Sequence, residues 1–162
     1  MDSLINAQNG LKKEHINGNY TDQKNLHLTL AFIGEYNYPE KVIKALQKVR
    51  FRPFELVLEE ESGNFEDLIW VGIKRNPDLM KLTSNLRKTL DESRIPFDNK
   101  KFVPHITIIR KANVPKQFKK PKIEKAIMTV EKISVMRSQR IDGKLVYTEL
   151  GSAKANNSEQ KT

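Results

Sequence analysis

Two short runs carry the residue types that move protons beside an anion: His27-Leu28-Thr29-Leu30 and His105-Ile106-Thr107-Ile108. The chain holds only 3 histidines, so two of them standing two places before a threonine is a pattern that coincidence explains poorly. In a β-strand, residues i and i+2 project from one face. Each run would therefore present an imidazole and a hydroxyl together, while Leu28, Leu30, Ile106 and Ile108 turn to the opposite face and into a core. The bland alternative is a polar, solvent-facing strand face, and two intact copies count against it. Near neutral pH one imidazole can be neutral while another is protonated, so a pair supplies both a general base and a general acid. Threonine hydroxyls donate hydrogen bonds to an anion without adding charge. Such a set suits in-line displacement at a phosphodiester: base on the nucleophile, acid on the leaving oxygen, hydroxyls on the non-bridging oxygens. Metal chemistry fits less well, because there is no HExxH run, no cysteine and no carboxylate at ligand spacing beside either histidine.

The elements that must position these groups follow from periodicity. Leu4, Ala7 and Leu11 stand at helical spacing within 3–13, and 14–25 reads as a polar loop around Asn17-Gly18-Asn19. Leu26–Ile33 alternates as a strand. Pro39 opens a helix through Arg50 with Val42, Ile43, Leu46 and Val49 on one face. Strands are expected at Phe54–Leu58 and Leu68–Ile73, joined by a loop Glu61-Ser62-Gly63-Asn64-Phe65. Asn76 caps a helix begun by Pro77, with Leu79, Leu82, Leu86 and Leu90 as its stripe. Pro104–Arg110 is a β-rich run, Ala126–Val135 holds one or two strand segments, and Asp142-Gly143 is a hairpin turn before a strand Lys144–Leu150. Residues 151–162 are small and polar and read as a disordered tail.

Aligned on their histidines, the two halves match. His27 lies 43 residues before Trp70, and His105 lies 42 before Tyr147. This nearly equal spacing suggests a duplicated unit. The fold expected over 1–150 is α+β: two pseudo-symmetric lobes, each an antiparallel sheet with helices outside, and an active-site cleft between them. By the same repeat, a strand should precede the helix at Ser3, as Leu68–Ile73 precedes the helix from Pro77. Only Met1 and Asp2 stand there, so the first lobe's N-terminal strand is expected to be missing or supplied from elsewhere.

At 162 residues the chain has the size of one domain, large enough for a core without disulfides or metal. Cysteine is absent, which excludes disulfides, thiolate catalysis and cysteine-ligated zinc. Lys and Arg number 29 against 20 acidic residues, a net charge of +9 that favours polyanionic partners. No apolar run approaches the ~20 residues needed to span a bilayer. With neither a basic leader nor a long apolar stretch at the start, a cytoplasmic protein is the default.

NLHLTLAFIGE (Asn25–Glu35) and FVPHITIIRK (Phe102–Lys111) resemble the paired signatures of the two-histidine phosphoesterases. They are most similar to the RNA 2′,3′-cyclic phosphodiesterases, also called 2′-5′ RNA ligases. The Leu-Ile-Trp-Val-Gly-Ile strand and the Ser138…Asp142-Gly143…Tyr147-Thr148 ending support the match, which covers roughly 3–150. The resemblance implies a bilobal fold, metal-free and cofactor-free catalysis, and hydrolysis of RNA 2′,3′-cyclic phosphate ends to 2′-phosphomonoesters, with weak reverse ligation. It implies His27 and His105 as the catalytic pair, and Thr29 and Thr107 as phosphate binders. Arg110 matches an arginine such enzymes use at the active site, although simple alternation from His105 puts it on the opposite strand face.

Other residues have two readings each. Phe65 stacks on a substrate base or closes a hydrophobic edge. Phe102 does the same or packs beneath the second histidine strand. Core or cleft-wall packing accounts for Trp70 and Tyr147. The lysines at 116, 119, 120, 122 and 125 around Phe118 form either a track for an RNA backbone or a solvated loop. His15 lies in a polar stretch outside any motif. The reading as a whole is a monomeric RNA-end phosphoesterase. The alternatives are a small-molecule cyclic nucleotide phosphodiesterase of the same kind and a non-catalytic RNA-binding module.

Overall fold

The computed structural model describes residues 2–156, so the expectation for 157–162 lies outside the described residues. The chain is α+β and divides into two compact units built from interleaved segments. The first comprises residues up to Thr29, Leu56–Arg75 and Val103–Met128; the second comprises Leu30–Glu55, Asn76–Phe102 and the chain from Thr129 onward. Both histidine segments, which the duplication assigns to different lobes, therefore fall in the first unit.

That unit opens with helix α1, Asp2–Lys13, whose Leu4, Ala7 and Leu11 are buried at the expected spacing. Asp2 in the first turn and Lys12 and Lys13 in the last complement the helix dipole. The helix stops at His15, where φ is +59° and the Ile16 N–H reaches back to the Leu11 carbonyl. His15 is thus a helix terminator.

The sheet of this unit contains β1 (Asn19–Tyr20), β2 (Phe54–Phe65), β3 (Leu68–Ile73), β4 (His105–Arg110) and β5 (Ile127–Val130) in the order β1-β4-β3-β2-β5. β4 pairs antiparallel with both β1 and β3. The core row includes Ile69, Val71, Ile108 and Ile109, each 0% exposed. Gln8 of α1 is also buried, and its Nε2 donates to the carbonyls of Thr21 and Ile108 at 2.8 and 3.0 Å. An apolar side chain there would remove this donor from both, the Ile108 carbonyl keeping the Thr21 N–H at 3.0 Å, a loss of about 1 kcal/mol per hydrogen bond. Burial raises the Tyr20 phenol above its ordinary range, and its hydroxyl donates to the Ile16 carbonyl at 2.6 Å.

Two sequence expectations change here. The segment 61–65 is not a loop: β2 runs through it, pairing Gly63 with Trp70 and Phe65 with Leu68, and the turn is Glu66-Asp67. Glu66 takes the left-handed conformation, φ +53°, that closes so short a turn. Leu26–Ile33 is not a ladder strand but extended chain with one isolated bridge, Leu28 to Ile106. A 3-10 turn at Gln23–Asn25 precedes it and Gly34, at φ +77°, follows.

The second unit holds α2 (Pro39–Lys48), α3 (Pro77–Glu92) and the hairpin β6 (Lys132–Ile141) and β7 (Lys144–Lys154). Asn76 caps α3 as expected, accepting the Leu79 N–H at 3.0 Å. Asp142 and Gly143 turn the hairpin with φ +52° and +79°. β7 continues past Leu150, contrary to the expected tail: Gly151, Ser152, Ala153 and Lys154 pair with Val135, Ser134, Ile133 and Lys132. Glycine suits position 151 because a Cβ there would meet Ile43 of α2 at 2.7 Å. Tyr147 stands opposite Ser138 in this hairpin, so it and Trp70 occupy different sheets. Among the described residues, no helix is long and apolar enough to cross a membrane.

Candidate active site

The isolated bridge between Leu28 and Ile106 is antiparallel. It therefore sets His27 against Thr107 and Thr29 against His105. Side chains paired across antiparallel strands share a face, so the four polar groups form one square, each imidazole flanked by the other run's hydroxyl. Leu28 and Ile106 point the other way, and Ile106 is buried. Sheet geometry puts diagonal neighbours about 7–8 Å apart, a gap that a tetrahedral phosphate fits between two long side chains. The 3-10 turn makes this register possible. From the Tyr20–Ile109 pair to the Leu28–Ile106 bridge, the first segment spends eight residues where β4 spends three.

Each histidine is tied down in the same way. His27 Nδ1 lies 2.6 Å from the Asn25 carbonyl oxygen, and His105 Nδ1 lies 2.7 Å from that of Val103. A carbonyl only accepts, so Nδ1–H is the donor in both. Nε2 is then the basic nitrogen of each neutral ring. His27 and Thr107 are half-buried, and Thr29 and His105 are exposed.

Arg110 joins this face through a bulge. Trp70 pairs with Thr107 and Ile69 with Ile109, so β4 carries one extra residue at Ile108. Ile108 and Ile109 both turn inward, and alternation resumes one step out of phase. Arg110, exposed, emerges on the side of His105 and Thr107, which removes the objection from strict alternation.

Of the two packing readings for Trp70, core or cleft wall, the structure rules out the core. Its register opposite Thr107 puts it on the histidine face rather than in the core, with its ring centroid 5.9 Å from that of His105. The two-residue step from Trp70 to Gly72, which opposes His105, was the available signal. Phe65 ends β2 two positions from Gly63, on the same side as Trp70, and is 66% exposed. Phe102 packs instead in the second unit, its ring 5.7 Å from the Arg87 guanidinium carbon. The lysines at 116, 119, 120, 122 and 125 are all exposed. Among the described residues, no three His, Asp or Glu side chains converge as metal ligands.

A family model described as the 2′-5′ RNA ligase superfamily matches residues 2–142. An RNA 2′,3′-cyclic phosphodiesterase of Thermotoga maritima is 31% identical over 119 residues, 68% of this chain and 63% of that protein. A protein of the same name from Escherichia coli is 36% identical over 93 residues, 55% of this chain and 53% of its own. The matched stretch thus spans between about half and two thirds of these relatives' lengths. The crystal structure of E. coli LigT complexed with 3′-AMP superposes with a TM-score of 0.82 at 25% identity, covering 96% of this chain and 92% of that one. TT0787 of Thermus thermophilus shares the fold, with a TM-score of 0.79 at 24% identity over 94% and 90% of the two chains.

Proposed function

The chain belongs to the 2′-5′ RNA ligase superfamily, and on that footing we propose that it hydrolyses RNA 2′,3′-cyclic phosphate ends to 2′-phosphomonoesters. The observation that carries the reading is the square of His27, Thr107, Thr29 and His105 set by the Leu28–Ile106 bridge. Catalysis starts with the cyclic phosphate seated between the two imidazoles. Nε2 of one neutral histidine takes a proton from water as its oxygen attacks phosphorus. The bond from phosphorus to the 3′-oxygen breaks in line, and Nε2–H of the other, protonated histidine gives its proton to that oxygen. The product carries a 2′-phosphate and a 3′-hydroxyl, and the two histidines have exchanged protonation states. Thr29 and Thr107 hydroxyls donate to the non-bridging oxygens, where charge accumulates. The Arg110 guanidinium adds a planar donor fork for phosphate. With a 5′-hydroxyl end in place of water as the nucleophile, the same steps form a 2′-5′ linkage and free the 3′-hydroxyl; reversed, they expel the 5′-hydroxyl and close the cyclic phosphate again.

The name shared by the T. maritima and E. coli relatives supports RNA as substrate, and the charge of +9 agrees with a polyanion. The test is an oligonucleotide ending in a 2′,3′-cyclic phosphate, incubated with and without a chelator. Conversion to the 2′-phosphate at equal rates in both is expected. Binding without turnover would favour an RNA-binding module, and cleavage of mononucleoside cyclic phosphates in strong preference would favour a small-molecule enzyme.

A further inference from the structure

The indole of Trp70 occupies the space that a side chain at position 63 would need. Gly63 stands directly opposite Trp70 across the β2–β3 ladder. A Cβ at Gly63 would lie 2.2, 2.4 and 2.6 Å from indole Cη2, Cζ2 and Cζ3, so the six-membered ring rests against glycine backbone. Gly72, opposite His105, leaves a second gap on the same face: a Cβ there would stand 3.6 Å from Trp70 Cζ3 and 3.2 Å from Glu59 Cγ. With bare backbone beside it at both glycines, the indole reaches the imidazole of His105, the ring planes inclined at 58°.

His105 needs such a neighbour. It is exposed, and its Nδ1–H bond to the Val103 carbonyl fixes one point of the ring without fixing its plane. We propose that Trp70, seated over Gly63, is a positioning residue that holds the His105 imidazole so that Nε2 stays aimed at the scissile phosphate. This rests on the phosphodiesterase reading above, and Gly63 serves it by what it lacks. An alanine there must push the ring off its seat and take the support from His105, whereas a glycine merely tolerated in a strand would accept alanine at no catalytic cost.

The experiment compares Gly63→Ala, Trp70→Phe and the double variant on a cyclic-phosphate-ended oligonucleotide. Gly63→Ala is expected to lower kcat about 10-fold or more with KM within about twofold, since small misplacements of a catalytic group cost rate rather than affinity. In the Trp70→Phe background, where the smaller ring leaves room for the methyl group, the same change should cost less than about 3-fold, the mark of two coupled sites. Costs that multiply in the double variant would overturn the proposal. A readout independent of turnover is the Cε1–H resonance of His105, assigned by its loss in His105→Gln and shifted by the indole's ring current. It should move in Gly63→Ala and in Trp70→Phe while those of His15 and His27 hold. An unmoved His105 resonance refutes the positioning role even if the enzyme is active. A moved resonance without any cleavage by the native protein counts against the phosphodiesterase reading alone. Should Gly63→Ala fail to fold, Trp70→Phe still decides through its kcat, KM and resonance.

Discussion

Leu28 meets Ile106 across a single antiparallel bridge, and that one pairing sets each histidine beside the other run's threonine. The two residues are apolar and take no part in chemistry. They seat the polar square by turning to its opposite face, which is why both runs alternate polar and apolar residues.

His27→Ala and His105→Ala should each lower turnover by at least about 100-fold, the scale of losing a general acid or base. The double variant should be little slower than the slower single one, because the two groups act in one step. The rate against pH should be bell-shaped in the native protein. Each single variant should lose one limb, and two intact limbs in either would refute a paired acid and base.

Thr29→Val and Thr107→Val keep both imidazoles but remove a donor to developing charge. A loss of about 10²–10³ in rate is expected where the hydroxyl contacts the transition state, and less where it only binds ground-state phosphate. Inhibition by inorganic phosphate, measured alongside, separates these. Native-like values for both variants would mean that neither hydroxyl touches phosphate.

Arg110 stands on the face of His105 and Thr107 only because of the bulge at Ile108. Arg110→Ala should weaken inhibition by inorganic phosphate, and Arg110→Lys should restore it only in part, since lysine supplies charge without the planar fork. Full recovery by lysine would show that charge alone matters.

Arg87 ties together the chain that leaves Thr29 and the chain that leads to His105. Its Nε and Nη2 donate to the Leu30 carbonyl at 3.2 and 3.1 Å, and its Nη1 donates to that of Lys100 at 2.7 Å. Its guanidinium carbon lies 5.7 Å from the rings of both Phe97 and Phe102. Arg87→Ala should cost about 1.5–3 kcal/mol, the range for hydrogen bonds from a charged group. That lowers the melting temperature by several degrees. Arg87→Lys should recover less than half, because a lysine cannot serve both carbonyls and both rings.

Glu149 in the β6–β7 hairpin accepts from the Ser134 hydroxyl at 2.6 Å and the Lys132 ammonium at 3.0 Å. The hydroxyl first, then the ammonium, holds its carboxyl below the usual carboxylate range. A lowered pKa in the folded state means that the contribution is present above the ordinary glutamate range and is lost as pH falls through the lowered value. The native protein should therefore melt slightly above Glu149→Gln near neutrality, with the difference closing on acidification. Melting curves across that range check it, and a gap that persists in acid would contradict it.

Whatever repeats locally could be read from the residues alone. The stripe of Leu79, Leu82, Leu86 and Leu90 behind the Asn76 cap, the Asp142-Gly143 turn and the His-x-Thr alternation of β4 are written in residue spacing, because helices and strands bury one face at a fixed period. That His105 and Thr107 share one face of β4 was legible for the same reason. Relations between distant segments came only with the folded chain. The stretch from Tyr20 to Leu28, with its 3-10 turn, takes up five surplus residues and sets His27 against Thr107. One extra residue in β4 turns Arg110 to the histidine side. The absence of a side chain at Gly63 becomes a seat for an indole carried on the neighbouring strand. Each depends on which strand lies alongside and in what register. Register is fixed by the summed fit of many side chains across the sheet, which no single stretch of sequence contains.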